Sequence, residues 1–179
     1  MSVIDELLRN NAAAAADFRE GDRPLPPARK LAVVACMDAR LHVSRILGLQ
    51  IGDAHIIRNA GGVVTDDVVR SLVISQRLLG TEEIVLIHHT DCGMLTFNDD
   101  SVKAQILEDT GIRPPFALEA FPDLEGDVRQ SIARIRANPL IPRRDSVRGF
   151  VYDVRTGRLN EVHAAERELA GVGRRPVPA

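Results

Sequence analysis

Two short segments concentrate the residue types that can hold a metal ion or move a proton. CMDAR, residues 36–40, carries one of the chain's 2 cysteines, and HHTDCGM, residues 88–94, carries the other, placed shortly after His89. Two thiolates and one imidazole are the ligand set of a borderline-soft ion with tetrahedral preference, and zinc is the commonest such ion in cells. Three protein ligands, Cys36, His89 and Cys92, leave a fourth position open, as catalytic rather than structural zinc sites do. Asp38 and Arg40 follow Cys36 by two and four positions. In an extended segment they fall on its side of the chain and set a carboxylate paired with a guanidinium beside the metal. Each piece also has a plainer explanation. A cysteine that closes a buried run is a small core hydrophobe, a single HxxC lacks the further pairs of a zinc finger, Asp38 with Arg40 is an ordinary ion pair, and RNAGG at 58–62 is an ordinary loop.

For the two cysteines to meet, the segments that carry them must end side by side. LAVVACM (31–37), AHIIRN (54–59) and IVLIHH (84–89) are apolar runs, each followed by a helical pattern or a glycine turn. Runs buried on both faces are what a parallel sheet requires. Between the second and third, DDVVRSLVISQRLLG has helical spacing, with Asp66 and Asp67 at its start and Gly80 at its end. In open α/β sheets the carboxyl ends of the strands converge on one crevice where ligands sit, and Cys36, His89 and Cys92 all lie at such ends. Elsewhere the pattern predicts an amphipathic helix over 3–19, a proline-rich connector at GDRPLPPARK, and helices in SVKAQILEDTG and LEGDVRQSIARIRANP. VRGFVYDVRTGRLNEV reads as a strand, a tight turn at Thr156 and Gly157, and a return strand. The expected fold is α/β, a central mostly parallel β-sheet flanked by helices, in a single domain. Its parts are a helical arm and linker (1–29), a metal-binding core (30–163) and a tail (164–179) that is loose or draped over a neighbour.

Composition bounds the partners. The chain has 179 residues, 45% hydrophobic and 27% charged, the profile of a globular domain and not of a disordered one. Its net charge of −2, from 23 basic and 25 acidic residues, gives no electrostatic reason for nucleic acid as a partner. The N-terminus lacks the basic and apolar regions of a signal peptide, and no run approaches the roughly 20 apolar residues of a membrane span. We therefore expect a cytoplasmic protein without a membrane partner, whose cysteines stay reduced and serve metal binding, catalysis or packing instead of a disulfide.

CMDAR, RNAGG and HTDCGM, in this order and at these intervals, closely resemble the β-class carbonic anhydrases, which hydrate carbon dioxide with zinc. The resemblance is strongest over residues 31–97, and DTGIRPP and the strand region to residue 162 extend it towards the short, single-domain bacterial subgroup. It implies Zn2+ on Cys36, His89 and Cys92, a catalytic dyad of Asp38 and Arg40, and carbon dioxide and bicarbonate as substrate and product. It also implies a homodimer into which the N-terminal helix reaches, and a further pairing into a dimer of dimers. Bound zinc lowers the pKa of its water from 15.7 towards about 7, and Asp38 held by Arg40 would orient the resulting hydroxide. Family members also show a closed state, with the aspartate on the metal as fourth ligand. The same exchange at Asp38 would shut this site when the Asp38–Arg40 pair is lost and open it as pH rises.

Other residues take supporting roles. Gly61 and Gly62 permit close backbone approach under the site, Phe97 lines a small apolar pocket for an uncharged substrate, and Asp91 orients the loop between the ligands. His88 faces away from its neighbour His89 as a buried histidine. His42 and His55 are candidates for relaying protons, with His163 behind them. The chain departs from many members at Gly62, where they have asparagine, and at His88, where they have glycine; both changes bear on the pocket rim. Two other functions use the same residues: hydrolysis of carbonyl sulfide or carbon disulfide, which pocket width separates from the first, and a noncatalytic zinc scaffold or redox sensor with Asp38 as permanent ligand. Arg40 argues against the last, because its pairing with Asp38 competes with metal ligation.

Overall fold

The computed structural model describes residues 2–163; the expected tail, 164–179, lies outside the described residues. The first helix, α1 (Val3–Ala16), begins at a capping box in which Ser2 Oγ accepts from the Asp5 N–H and the Asp5 carboxylate accepts from the Ser2 N–H. It ends at Asp17, short of the expected residue 19. Its apolar residues Val3, Ile4, Leu7 and Leu8 are all exposed.

The core is a five-stranded sheet in the order β2-β1-β3-β4-β5, built from β1 (Leu31–Cys36), β2 (Ala54–Asn59), β3 (Glu83–His89), β4 (Val147–Tyr152) and β5 (Leu159–Val162). The first four are mutually parallel, and β5 returns antiparallel to β4. The remaining helices are α2 (Val43–Leu47), α3 (Asp66–Arg77), α4 (Asp99–Thr110) and α5 (Leu124–Ala137). α2 was not legible in the sequence, because five residues are too few to establish a helical period.

Alternation along β1 and β3 explains why both read as unbroken apolar runs. Ala32 and Val34 pair in register with Ile84 and Leu86 on one face, where Val68 and Leu72 of α3 and Val128, Ile132 and Ile135 of α5 cover them. Val33, Ala35 and Ile87 face the other way, under Leu41, Val43, Met94 and Phe121. Each such valine or leucine contributes about 1.5–3 kcal/mol by leaving water. β2 departs from the expectation of burial on both faces. It is the outer strand, and Ile56 and Arg58 are exposed on it. A run of mixed polarity, with His55 and Arg58 inside it, suits a sheet edge and not a centre.

The strand order places the site. From β1 the chain crosses through α2 to β2 on one side, then returns through α3 to β3 on the other, so β1 and β3 are neighbours whose following loops diverge. That reversal opens a crevice beyond their carboxyl ends.

Candidate active site

Cys36 closes β1, His89 closes β3, and Cys92 immediately precedes a 3-10 turn, Gly93–Leu95. All three are buried, and their ligand atoms lie within 4.8 Å of one another. The tautomer of His89 follows from its surroundings. Nδ1 donates to the Thr90 carbonyl at 2.9 Å, so Nε2 carries a lone pair, and Nε2 is buried without a hydrogen-bond partner among the described residues. An orphaned imidazole nitrogen beside two thiols is costly unless something fills the gap, and a soft divalent cation satisfies all three atoms.

The electrostatics of the pocket point the same way. The neighbouring Cys92 thiol pulls the Cys36 pKa far below its usual value, against burial and with help from His89, while the nearby Cys36 sulfur pushes Cys92 up. Burial alone would lower the His89 pKa, but the Cys36 sulfur, the Thr90 carbonyl and the charges of Cys36 and Asp38 together raise it. Anionic character thus collects where the three ligand atoms converge.

Asp38 and Arg40 do reach the site, although not as an extended segment. The chain leaves β1 and turns at Ala39–Arg40, with the Leu41 N–H donating to the Asp38 carbonyl at 3.0 Å. The turn folds the Arg40 guanidinium back onto the carboxylate, with Nε donating to Oδ1 at 3.0 Å and Nη2 to Oδ2 at 2.7 Å. The Arg40 backbone N–H adds a bond to Oδ1 at 2.8 Å. This grip, side chain first, holds the Asp38 carboxyl well below the usual carboxylate range. Its Oδ2 lies 3.8 Å from His89 Nε2. Arg40 also donates to the Asp91 carboxylate at 2.7 Å and carbonyl at 2.9 Å, tying together the loops after β1 and β3. Asp91 has φ +57°, a left-handed conformation that aspartate tolerates better than most residues.

A cavity of about 410 Å³ opens over the ligands, walled by Met37, Asp38, Ala60, Gly61, Met94, Thr96 and Phe97. Phe97 and Gly61 both line this cavity. Gly62 does not line the cavity: a Cβ there would lie 2.8 Å from the Cys36 nitrogen and 3.0 Å from the Ile87 oxygen, so it lets the backbone pass under the strand ends. His88 also lies away from the rim. It points to the α5 side, fully buried, with Nε2 2.6 Å from Asp127 Oδ2 and its ring against Phe121. The two departures expected to bear on the rim thus bear on the packing beneath it.

The other histidines lie apart from the cavity. His42 accepts from the Arg45 N–H at the start of α2. His55 contacts Ser75 Oγ at 2.8 Å, and burial lowers its pKa. His163 is exposed after β5. Two contributors escaped the sequence reading. Phe121 packs between His88 and Gly61, behind the cavity wall, and no local signal marks it. Arg58 bonds the backbone of the ligand-bearing segment, and its only signal was its place at the head of RNAGG.

Comparisons with known proteins agree with this geometry. A family model described as carbonic anhydrase matches residues 31–113. The chain is 60% identical over 162 residues to Beta-carbonic anhydrase 1 of Mycobacterium tuberculosis, covering 90% of this chain and 99% of that protein. It is 37% identical over 160 residues to a carbon disulfide hydrolase of Acidithiobacillus thiooxidans, covering 78% of this chain and 80% of that one. The structure superposes on carbonic anhydrase from Streptococcus mutans with a TM-score of 0.85 at 47% identity, covering 91% and 99% of the two chains.

Proposed function

The chain belongs to the β-class carbonic anhydrase family, and on that premise we propose that it catalyses the reversible hydration of carbon dioxide to bicarbonate and a proton, with Zn2+ held by Cys36, His89 and Cys92. The observation that carries the proposal is the orphaned, buried Nε2 of His89 beside two thiols, opening on a cavity that Asp38 also lines. Zinc, when bound, supplies the positive charge that acidifies a water and makes it a nucleophile near neutral pH.

The chain's own residues direct that nucleophile. Asp38, kept ionised by Arg40, accepts a hydrogen bond from the attacking water and so aims the water's remaining lone pair at the substrate carbon. Arg40 is itself pinned by Asp91, which stops the carboxylate from turning. The apolar walls of Met37, Ala60, Gly61, Met94 and Phe97 favour an uncharged linear molecule over a charged one and release bicarbonate towards solvent. With both carboxylate oxygens engaged by Arg40, Asp38 is poorly placed to serve as a permanent fourth ligand, which argues against a noncatalytic scaffold.

We place the enzyme in the cytoplasm, where the thiols of Cys36 and Cys92 stay available for metal. Among the described residues no helix is long and apolar enough to cross a membrane. The apolar residues of α1, exposed among the described residues, support a homodimer built on that arm and a dimer of dimers beyond it. The deciding experiment is stopped-flow carbon dioxide hydration on zinc-quantified protein, with Asp38→Ala beside it. Hydration that falls about 100-fold or more in the variant is the expected result. Zinc-loaded protein that ignores carbon dioxide but hydrolyses carbonyl sulfide or carbon disulfide would transfer the assignment to those substrates, and inertness towards all of them would leave a structural zinc site.

A further inference from the structure

We propose that Arg58 is a positioning residue of this site, holding Cys36 and Asp38 by their backbone while Arg40 holds Asp38 by its carboxylate; the inference rests on the function proposed above. Arg58 lies on β2, paired in register with Ala35. Its Nε and Nη2 donate to the Cys36 carbonyl at 3.0 and 2.9 Å, and Nη2 donates again to the Asp38 carbonyl at 2.7 Å. One planar fork thus caps the carbonyls of a metal ligand and of the dyad carboxylate, two residues apart.

The need for such a cap follows from the sheet. Pairing between β1 and β3 ends at Ala35 and Ile87, and past Cys36 the backbone keeps a single ladder bond, from the Met37 N–H to the Asn59 carbonyl at 2.8 Å. From there the chain must stop pairing, turn at Ala39–Arg40 and present Asp38 to the cavity. Arg58 fixes the first carbonyl of that exit and the carbonyl at the turn. Asp38 is therefore restrained at both ends by different arginines from different segments. A lysine cannot reproduce this, since one ammonium does not offer a fixed fork to two carbonyls. Positional errors near 1 Å at a reacting group cost on the order of 10²-fold in rate, which is the scale at stake when the exit loosens.

The test is a double-mutant cycle between Arg58→Met and Asp38→Ala, with Arg58→Lys as a variant that keeps the charge, all assayed for carbon dioxide hydration at equal zinc content. Arg58→Met should lower kcat/KM by about 10- to 100-fold, with Arg58→Lys between it and wild type. In the Asp38→Ala background the Arg58 change should have a clearly smaller effect, because the carboxylate it positions is gone and only its hold on the Cys36 carbonyl still matters. Amide hydrogen exchange of the metal-free proteins supplies a readout independent of turnover. Residues 37–41 should exchange about tenfold faster in Arg58→Met while the protection of β3 and α5 is kept. Unchanged kcat/KM, losses that simply add to those of Asp38→Ala, or faster exchange spread over the whole chain would each overturn the inference. A wild-type protein that fails to hydrate carbon dioxide would instead remove the function on which it rests.

Discussion

Replacing Gly62 by alanine probes how tightly the ligand-bearing strands are threaded. The new Cβ would sit 2.8 Å from the Cys36 nitrogen, 3.0 Å from the Ala35 carbonyl carbon and 3.0 Å from the Ile87 oxygen. These are backbone atoms of two adjacent strands, so no side-chain rotation relieves the contact. Residue 62 also has φ +75°, a left-handed conformation that costs an L-residue about 1–2 kcal/mol. Overpacking adds about 1–3 kcal/mol, for a total of about 2–5 kcal/mol. At a central urea slope of about 2 kcal/mol/M the unfolding midpoint should drop by roughly 1–2.5 M, measured at fixed protomer concentration. Gly48→Ala is the internal control. That residue has φ +65° with nothing within 4 Å of the added Cβ, so only the conformational part, about 1–2 kcal/mol, applies. Because the clash falls between Cys36 and Ile87, the Gly62 variant should also retain less zinc after dialysis. Equal midpoints for the two alanine variants, or a Gly62→Ala midpoint within about 0.3 M of wild type, would refute the packing argument.

Three further outcomes are expected. Asp127→Ala strips the buried His88 of its partner and should cost about 1–3 kcal/mol in urea unfolding, with Asp127→Asn costing less; wild-type stability in both would show that the contact contributes nothing. The Asp99 carboxylate accepts from the Ala120, Leu118 and Glu119 N–H groups, which hold its pKa below the usual range against partial burial. Its folded pKa being the lower one, its contribution is complete above the unfolded value of about 3.9 and fades as pH falls through the folded value. The gap in thermal midpoint between wild type and Asp99→Asn should therefore narrow below about pH 3.9, and a gap constant down to pH 2.5 would contradict the linkage. In metal-free protein, Cys36, pulled down chiefly by the Cys92 thiol, should be alkylated before Cys92 in mildly acidic buffer. Zinc should protect both, and equal modification of the two cysteines without metal would count against the assigned direction.

The sequence by itself determined the chemistry available and the local form that carries it. Two cysteines and a histidine name a soft-metal donor set whatever the fold, and the runs at 31–37 and 84–89 alternate between faces because successive strand residues must. The same period puts His88 on the face opposite His89. What tertiary structure alone decided are the contacts made across large separations in the chain. The order β2-β1-β3 brings Cys36 beside His89 and leaves AHIIRN at an edge. The turn at Ala39–Arg40, not an extended run, delivers Arg40 to Asp38 and onward to Asp91. Arg58 reaches the ligand-bearing backbone, and Phe121 packs behind Gly61, only because β2 and the segment before α5 lie there. Propensity and period act over a few residues, whereas strand order and side-chain reach are settled by burial summed over the whole sheet, which no short window of sequence contains.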